Sequence, residues 1–366
     1  MHKIIPLLLS LFVLISTDSL NAESGLDVEE LRLAKIEHEF PKLLWMRNFN
    51  RDSKNGGNDL WLSAVASIKQ DQLVDDRPLY WNRLAMRRLI KSSDSFQKMT
   101  KSEQEKLLWQ FELISRGQKD VNFDKQTDKK ILITGFDPFF LDRHVNQSNP
   151  SGAAAQFLDG EVIELNGVTA EIESVILPVR FADFDQGMVE ELLAPYYGKV
   201  DMIATISMGR TDFDLERFPG LRRSAEAPGN LNVYTGANKK NPQIPMLDGK
   251  PLKGPEFVEF SLPVQAMMIA KGPFKIIDNH KVETLNGKME PASLVDLAGE
   301  VAVSGAGGGY LSNEISYRSI LLRNKLNPEL PVGHIHTPRI QAFEPETTDK
   351  IIKQIREMLR LAIAEI

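Results

Sequence analysis

Lys129-Lys130-Ile131-Leu132-Ile133-Thr134-Gly135-Phe136-Asp137-Pro138-Phe139 is a short, apolar, β-rich run that ends in a glycine and a turn. Asn149-Pro150-Ser151 follows and opens a helical pattern over 151–158. The same alternation continues to the end of the chain. Strand candidates lie at 170–178, 200–207, 274–278, 299–304 and 333–337, and helical patterns at 181–197, 260–271, 313–326 and 347–366. The last helix carries Ile351, Ile352, Ile355, Met358, Leu359 and Ala362 on one face. Strands alternating with helices predict an α/β fold, a three-layer α/β/α sandwich around a mostly parallel sheet. In such sheets ligands bind outside the carboxyl ends of the strands, which focuses attention on the segments after Ile133, Ile206 and Ser304.

Upstream of this run the pattern is purely helical, an N-terminal all-helical extension. Asp27 with Glu30 and Thr100 with Glu103 read as capping boxes. Asp76-Arg77-Pro78 reads as a helix start and Gly117 as a stop. Asn55-Gly56-Gly57-Asn58 reads as a loop before a helix capped by Asp59. All four tryptophans, Trp45, Trp61, Trp81 and Trp109, fall here, and the simplest role for them is packing the helices together. The first residues differ again. His2 and Lys3 precede the apolar run 4–15, and Leu20-Asn21-Ala22 gives a small-residue end, the layout of a secretory signal peptide. That run is short for a transmembrane span. The predicted organisation is a signal peptide at 1–22, a helical accessory region at 23–128 and an α/β domain at 129–366, in an exported protein, periplasmic or secreted, with no stable membrane span after cleavage.

Composition narrows the function. The 366 residues carry a net charge of −6, which disfavours nucleic acid as a partner. There is no cysteine, so disulfides, thiolate metal sites and thiol nucleophiles are excluded. A chain of this length builds its core without such staples.

The three strand ends hold the residues with chemistry. The first offers Phe136 and Phe139. The second offers Gly209-Arg210-Thr211 with Glu216 beyond it. The third is Gly305-Ala306-Gly307-Gly308-Gly309-Tyr310-Leu311-Ser312, a glycine-rich turn into a helix start, and His336 follows the last strand. A hydroxyl, an imidazole and a carboxylate satisfy the logic of a nucleophilic triad, and a helix start supplies amide donors for an oxyanion. Each residue also has a plain structural reading: Ser312 as an N-cap, Glu216 as a surface acid, His336 as a hydrogen-bonded core histidine. His334 and His336 share a strand face and read alternatively as half of a metal site. The glycine run matches neither phosphate-binding fingerprint.

Taken together, the motifs resemble the pyroglutamyl peptidase I (pyrrolidone-carboxylate peptidase) family, cysteine peptidases that remove an N-terminal pyroglutamate. Ile133-Thr134-Gly135-Phe136-Asp137-Pro138-Phe139, Asn149-Pro150-Ser151, Leu177-Pro178-Val179, Gly209-Arg210-Thr211 leading to Glu216-Arg217, 261–267 and His336-Thr337-Pro338 follow that family's motifs in the same order. The resemblance covers 130 to about 360 and none of the helical region. It implies Glu216 as orienter, His336 as general base and Ser312 at the position of the family's catalytic cysteine. It also implies Phe136 and Phe139, with Tyr310 and Leu311, around a substrate ring, and an oxyanion hole from Gly308, Gly309 and Ser312. No cofactor is implied, and the expected partner is a peptide with a blocked N-terminus.

The departures are as specific. A family arginine falls near Glu226, where Arg222 or Arg223 is the nearest replacement, and 271–291 is longer than its counterpart. A serine hydroxyl, unlike a thiol, does not rest as its anion and must lose its proton during attack. The sequence therefore predicts a Ser-His-Glu hydrolase. The alternative is a catalytically inactive protein that binds a capped peptide end or a protein partner, and a third reading makes the tryptophan-bearing helices the functional surface.

Overall fold

A computed structural model of the chain describes residues 25–44, 56–70 and 74–366. The predicted signal peptide and Trp45 lie outside the described residues. Helices come first: α1 (Val28–Leu31), α2 (Leu33–Glu39), α3 (Gly56–Gln70), α4 (Arg77–Lys91), α5 (Asp94–Gln97) and α6 (Lys101–Ile114). Both capping boxes form, Asp27 with Glu30 and Thr100 with Glu103. Gly56 and Gly57 are helical, in place of the expected loop. Helix α3 crosses so near α6 there that a Cβ on Gly57 would sit 3.2 Å from Ile114 Cγ2.

The sheet region begins with β1 (Lys129–Phe136), α7 (Pro150–Leu158), β2 (Glu161–Leu165) and β3 (Val168–Leu177). Next come α8 (Phe181–Asp185), α9 (Met188–Leu193), β4 (Met202–Met208) and β5 (Phe213–Glu216), with the small pair β6 (Met246–Leu247) and β7 (Lys250–Pro251). After α10 (Val264–Met268) come β8 (Ile276–Asn279), β9 (Val282–Thr284), β10 (Gly287–Met289) and β11 (Ala302–Ser304). Helix α11 (Leu311–Leu326), β12 (Val332–Thr337) and α12 (Pro345–Ala362) complete the fold. Seven strands form the central sheet in the order β2-β3-β1-β4-β12-β5-β8. Strands β3, β1, β4 and β12 run parallel, while β2 and β5 pair antiparallel with their inner neighbours. The four parallel strands are almost wholly buried, as their unbroken apolar runs require.

The layers follow from the alternation along β1. Gly135 faces α7, where a Cβ would meet Ser151 O at 2.4 Å, so only glycine lets helix and strand approach so closely. Phe136 points the other way and stacks on Phe184 of α8, with ring centroids 6.2 Å apart. Helices α7 and α12 therefore cover one face, and α8, α9 and α11 the other.

Three expected elements differ. The 181–197 helix breaks at Gly187, whose φ is +87°. The 260–271 helix shrinks to α10 because the amides of Phe260 and Ser261 donate outward, to the carbonyls of Arg217 and Val332, before Pro263 begins the turn. The strand at 299–304 shortens to β11 and joins β9 and β10 in a separate three-stranded sheet. The glycine turn thus follows a strand outside the central sheet, brought over it by tertiary contacts.

The helical region is continuous with the rest. Leu60, Trp61, Ala64, Leu79, Met86 and Phe111 share a core with Ala155 of α7 and Ile176 of β3. Trp61 and Trp81 are fully buried and Trp109 packs on the main core, which is the packing role expected of them. A buried ionic cluster also crosses the boundary. Arg83 of α4 and Arg116 each lie 2.8 Å from a carboxylate oxygen of Asp137, and Glu112 of α6 joins Arg116 and Arg180.

Candidate active site

Glu216 ends β5 and His336 lies on the adjacent β12, and the Glu216 carboxylate accepts a hydrogen bond from His336 Nδ1. Glu216 is fully buried. Burial pushes its carboxyl above the usual carboxylate range, and the like charge of Asp214 adds to this. His336 and Arg210 pull it back toward the ionised form. Asn279 of β8 donates to the second Glu216 oxygen at 2.9 Å and to the Ala306 carbonyl at 3.0 Å. One amide thus ties the carboxylate to the glycine turn. Asn279 lies inside 271–291, so the longer segment supplies a residue to the site.

Helix α11 is pinned over this pair. Asn313 holds Gly220 by two hydrogen bonds, of 2.9 and 2.7 Å, and the Ala306 amide donates to Phe218 O at 3.0 Å. Gly309 approaches Ser224 so closely that a Cβ there would meet its Oγ at 2.0 Å. Ser312 occupies the first turn of α11. Its hydroxyl donates to Gly307 O at 3.2 Å, and no hydrogen bond joins it to His336. The first-turn amides of α11 have no intrahelical acceptor and no side chain caps them, so they remain available to an anion. Of the three expected oxyanion donors, Gly308 is withdrawn: its amide donates to Gly305 O at 2.9 Å, closing a four-residue turn over 305–308.

Beside this arrangement lies a cavity of about 240 Å³. Phe136, Phe139, Tyr310, Leu311 and Ser312, dispersed in sequence and all expected at the site, line it together. Tyr310 is fixed edge-on to Phe181, with centroids 5.4 Å apart, and its hydroxyl donates to Pro228 O at 2.7 Å. Sequence reasoning missed several lining residues: Phe140, Ser207 and the exposed Arg339. Phe140 adopts a φ of +63°, an uncommon conformation for a bulky side chain and one that clusters at ligand sites.

Arg222 and Arg223 do not stand in for the displaced arginine. Arg222 grips Glu256, and Arg223 grips Glu314 and Asp185. Glu226 is exposed and lies outside the cavity lining, although Ala225 and Ala227 belong to it. The cations near the site are instead Arg339 and Arg210, the latter 3.2 Å from Asp214 and 3.7 Å from Glu216. Asp214, Glu216 and His336 offer three grouped ligand atoms for a metal, but the Arg210 guanidinium already supplies positive charge to both carboxylates. The alternative pairing of His334 with His336 fails for a separate reason, since both His334 nitrogens are bonded to hydroxyls.

Fold and site together define an α/β protein that holds a buried carboxylate–imidazole pair beside an aromatic cavity at the carboxyl ends of parallel strands. The chain belongs to the PA0049 family: the profile "PA0049, C-terminal domain" matches residues 130–256 and 276–341, more than half of the chain, and "PA0049 N-terminal domain" matches 46–112. A Pseudomonas aeruginosa relative, "Uncharacterized protein PA0049", is 28% identical over 376 aligned positions, covering 77% of this chain and 68% of that protein. Among solved structures, the chain is similar to a mutant pyrrolidone carboxyl peptidase from Pyrococcus furiosus, at 21% identity and TM-score 0.44, covering 64% of this chain and 99% of the other. It is also similar to pyroglutamyl peptidase I from Bacillus amyloliquefaciens, at 21% identity and TM-score 0.44, covering 65% and 98%. Among the described residues no helix is long and apolar enough to cross a membrane.

Proposed function

We propose that this protein is a hydrolase that removes an N-terminal pyroglutamyl, or similarly compact and neutral, residue from peptides. The observation that carries the reading is that the Glu216–His336 pair is tied through Asn279 to the glycine turn and is in register with Ser207 of the cavity that Phe136, Phe139, Tyr310, Leu311 and Ser312 line. The ordered motifs that run through these residues support it. The aromatic walls suit a small uncharged ring, which they bury without a charged partner.

In this mechanism Ser312 turns its hydroxyl from Gly307 O toward His336. As Oγ bonds to the acyl carbon, His336 takes the proton and Glu216 stabilises the resulting imidazolium. The tetrahedral oxyanion meets the first-turn amides of α11. His336 then returns the proton to the leaving amine, and water, activated by the same imidazole, releases the acyl group. The test is hydrolysis of a pyroglutamyl amide by the purified full chain, which should be lost in Ser312→Ala. Turnover that survives this substitution unchanged removes Ser312 from the mechanism.

One observation favours a second reading, a binding protein: the Ser312 hydroxyl is bonded to Gly307 O, not to His336. Saturable binding of a pyroglutamyl peptide by calorimetry, with no product formed, would select it. Export belongs to the same proposal, and a mature chain starting at Glu23, read by intact mass, checks it.

A further inference from the structure

The cavity that holds Ser312 contains a second serine, and its proton is accounted for. Ser207 Oγ lies 2.8 Å from His334 Nε2, and Thr205 Oγ1 lies 2.8 Å from His334 Nδ1. The Thr205 hydroxyl also lies 3.1 Å from Gly333 O. Assigning its one proton to that carbonyl makes it an acceptor toward His334 and puts the imidazole proton on Nδ1. His334 is fully buried, and burial first, then His336, holds its pKa well below the usual histidine range. The ring is neutral, Nε2 is bare, and Ser207 O–H donates to it. The Ser207 oxygen keeps its lone pairs and offers no proton to anything else.

Its place in the sheet makes this matter. His336 is in register with Ser207 across β12 and β4. Thr134 pairs with Thr205 across β1 and β4, so two residues on, Phe136 and Ser207 share a face and a level. Ser207 thus stands between the aromatic wall and the His336 base, and it lines the cavity. It is not a second nucleophile. No carboxylate backs His334, only the Thr205 hydroxyl, so the imidazolium needed for general-base catalysis would be buried without a counter-charge.

The geometry points to Ser207 as a specificity-determining residue, an oriented acceptor that reads an N–H donor on the ring of the bound ligand. This deepens the proposed function and rests on it, since the ring in question is the lactam. An amide ring N–H would meet the Ser207 oxygen, whereas a ring with methylene at that position would leave the acceptor unpaired.

The experiment uses the full chain carrying Ser312→Ala, so that turnover does not intervene. Calorimetry compares a pyroglutamyl amide with its carbocyclic analogue, in which methylene replaces the ring N–H. The lactam should bind about tenfold more tightly, the worth of one neutral hydrogen bond. Adding Ser207→Ala should bring the ratio close to one, with the analogue binding no more weakly than before because its unpaired acceptor is gone, which also reports that the cavity is intact. Equal binding of the two rings with Ser207 present overturns the inference, and that result needs no second variant to fold. A preference that persists without Ser207 also overturns it. In both cases the lactam still binds and the proposed function stands. If neither ring binds, the lactam reading fails and this inference falls with it.

Discussion

Glu216 is a carboxylate kept where water would not leave it. Its burial favours the neutral form, and His336, Arg210 and Asn279 hold it against that tendency. Glu216→Gln preserves an acceptor for His336 Nδ1 but removes the charge that an imidazolium needs. Turnover of a pyroglutamyl amide should fall on the order of a hundredfold or more, with KM nearly unchanged, because the cavity residues are untouched. A comparable fall in binding affinity would instead mean that Glu216 only holds the local structure. Ser312, His336 and Glu216 were legible in the sequence because motif order marks them. Asn279 and Ser207 were not, because each matters through a partner far along the chain: Glu216 is 63 residues from Asn279, and His334 is 127 from Ser207. No local pattern encodes such a pairing.

Helix starts are legible in sequence where capping chemistry is local. Asp27–Glu30 and Thr100–Glu103 are self-contained signals, and both form. Strand β5 escaped notice because its four residues, Phe213–Glu216, are too short to show a period. The function of α4 and α6 was equally hidden. Their end of the molecule sends Arg83, and Arg116 just beyond α6, onto Asp137, within the segment that carries Phe136 and Phe139. Asp137→Ala leaves two buried guanidinium groups short of a counter-charge. Loss of a buried partner costs about 3–5 kcal/mol, which urea unfolding would read as a lower midpoint with an unchanged slope. A change near zero would show that water or Glu112 compensates.

The helical region and the sheet share one hydrophobic core, so the boundary near residue 129 is a change of secondary structure inside a continuous interior. Residues 129–366 expressed alone should aggregate, because Ala155, Ile176 and Asp137 would lose their cover; a soluble, monomeric fragment with a cooperative thermal transition would refute this. A second prediction concerns pH. Asp76 is pushed up to about 8, Asp159 to about 7 and Glu173 to about 8, in each case first by burial and then by a neighbouring carboxylate. These groups bind protons more tightly when folded than when unfolded. Their contribution is therefore complete below the ordinary carboxylate range, near pH 4, and is lost as pH rises through about 7 to 8. The thermal midpoint should decline from about pH 5 to about pH 9, and Asp159→Asn should flatten the decline. A midpoint that rises over that window would show the carboxylates to be ionised and paired.

By itself the sequence determined the α/β class, the parallel core strands and the identities of the catalytic candidates, because periodicity, glycine placement and motif order are properties of neighbouring residues. Tertiary structure alone decided what these candidates do to one another. It carried the glycine turn from a separate small sheet over β12, withdrew the Gly308 amide, turned the Ser312 hydroxyl to Gly307, and set Ser207 beside His336. Hydrogen bonds and buried charge depend on distances between residues that are remote in the chain, and only the folded molecule sets those distances.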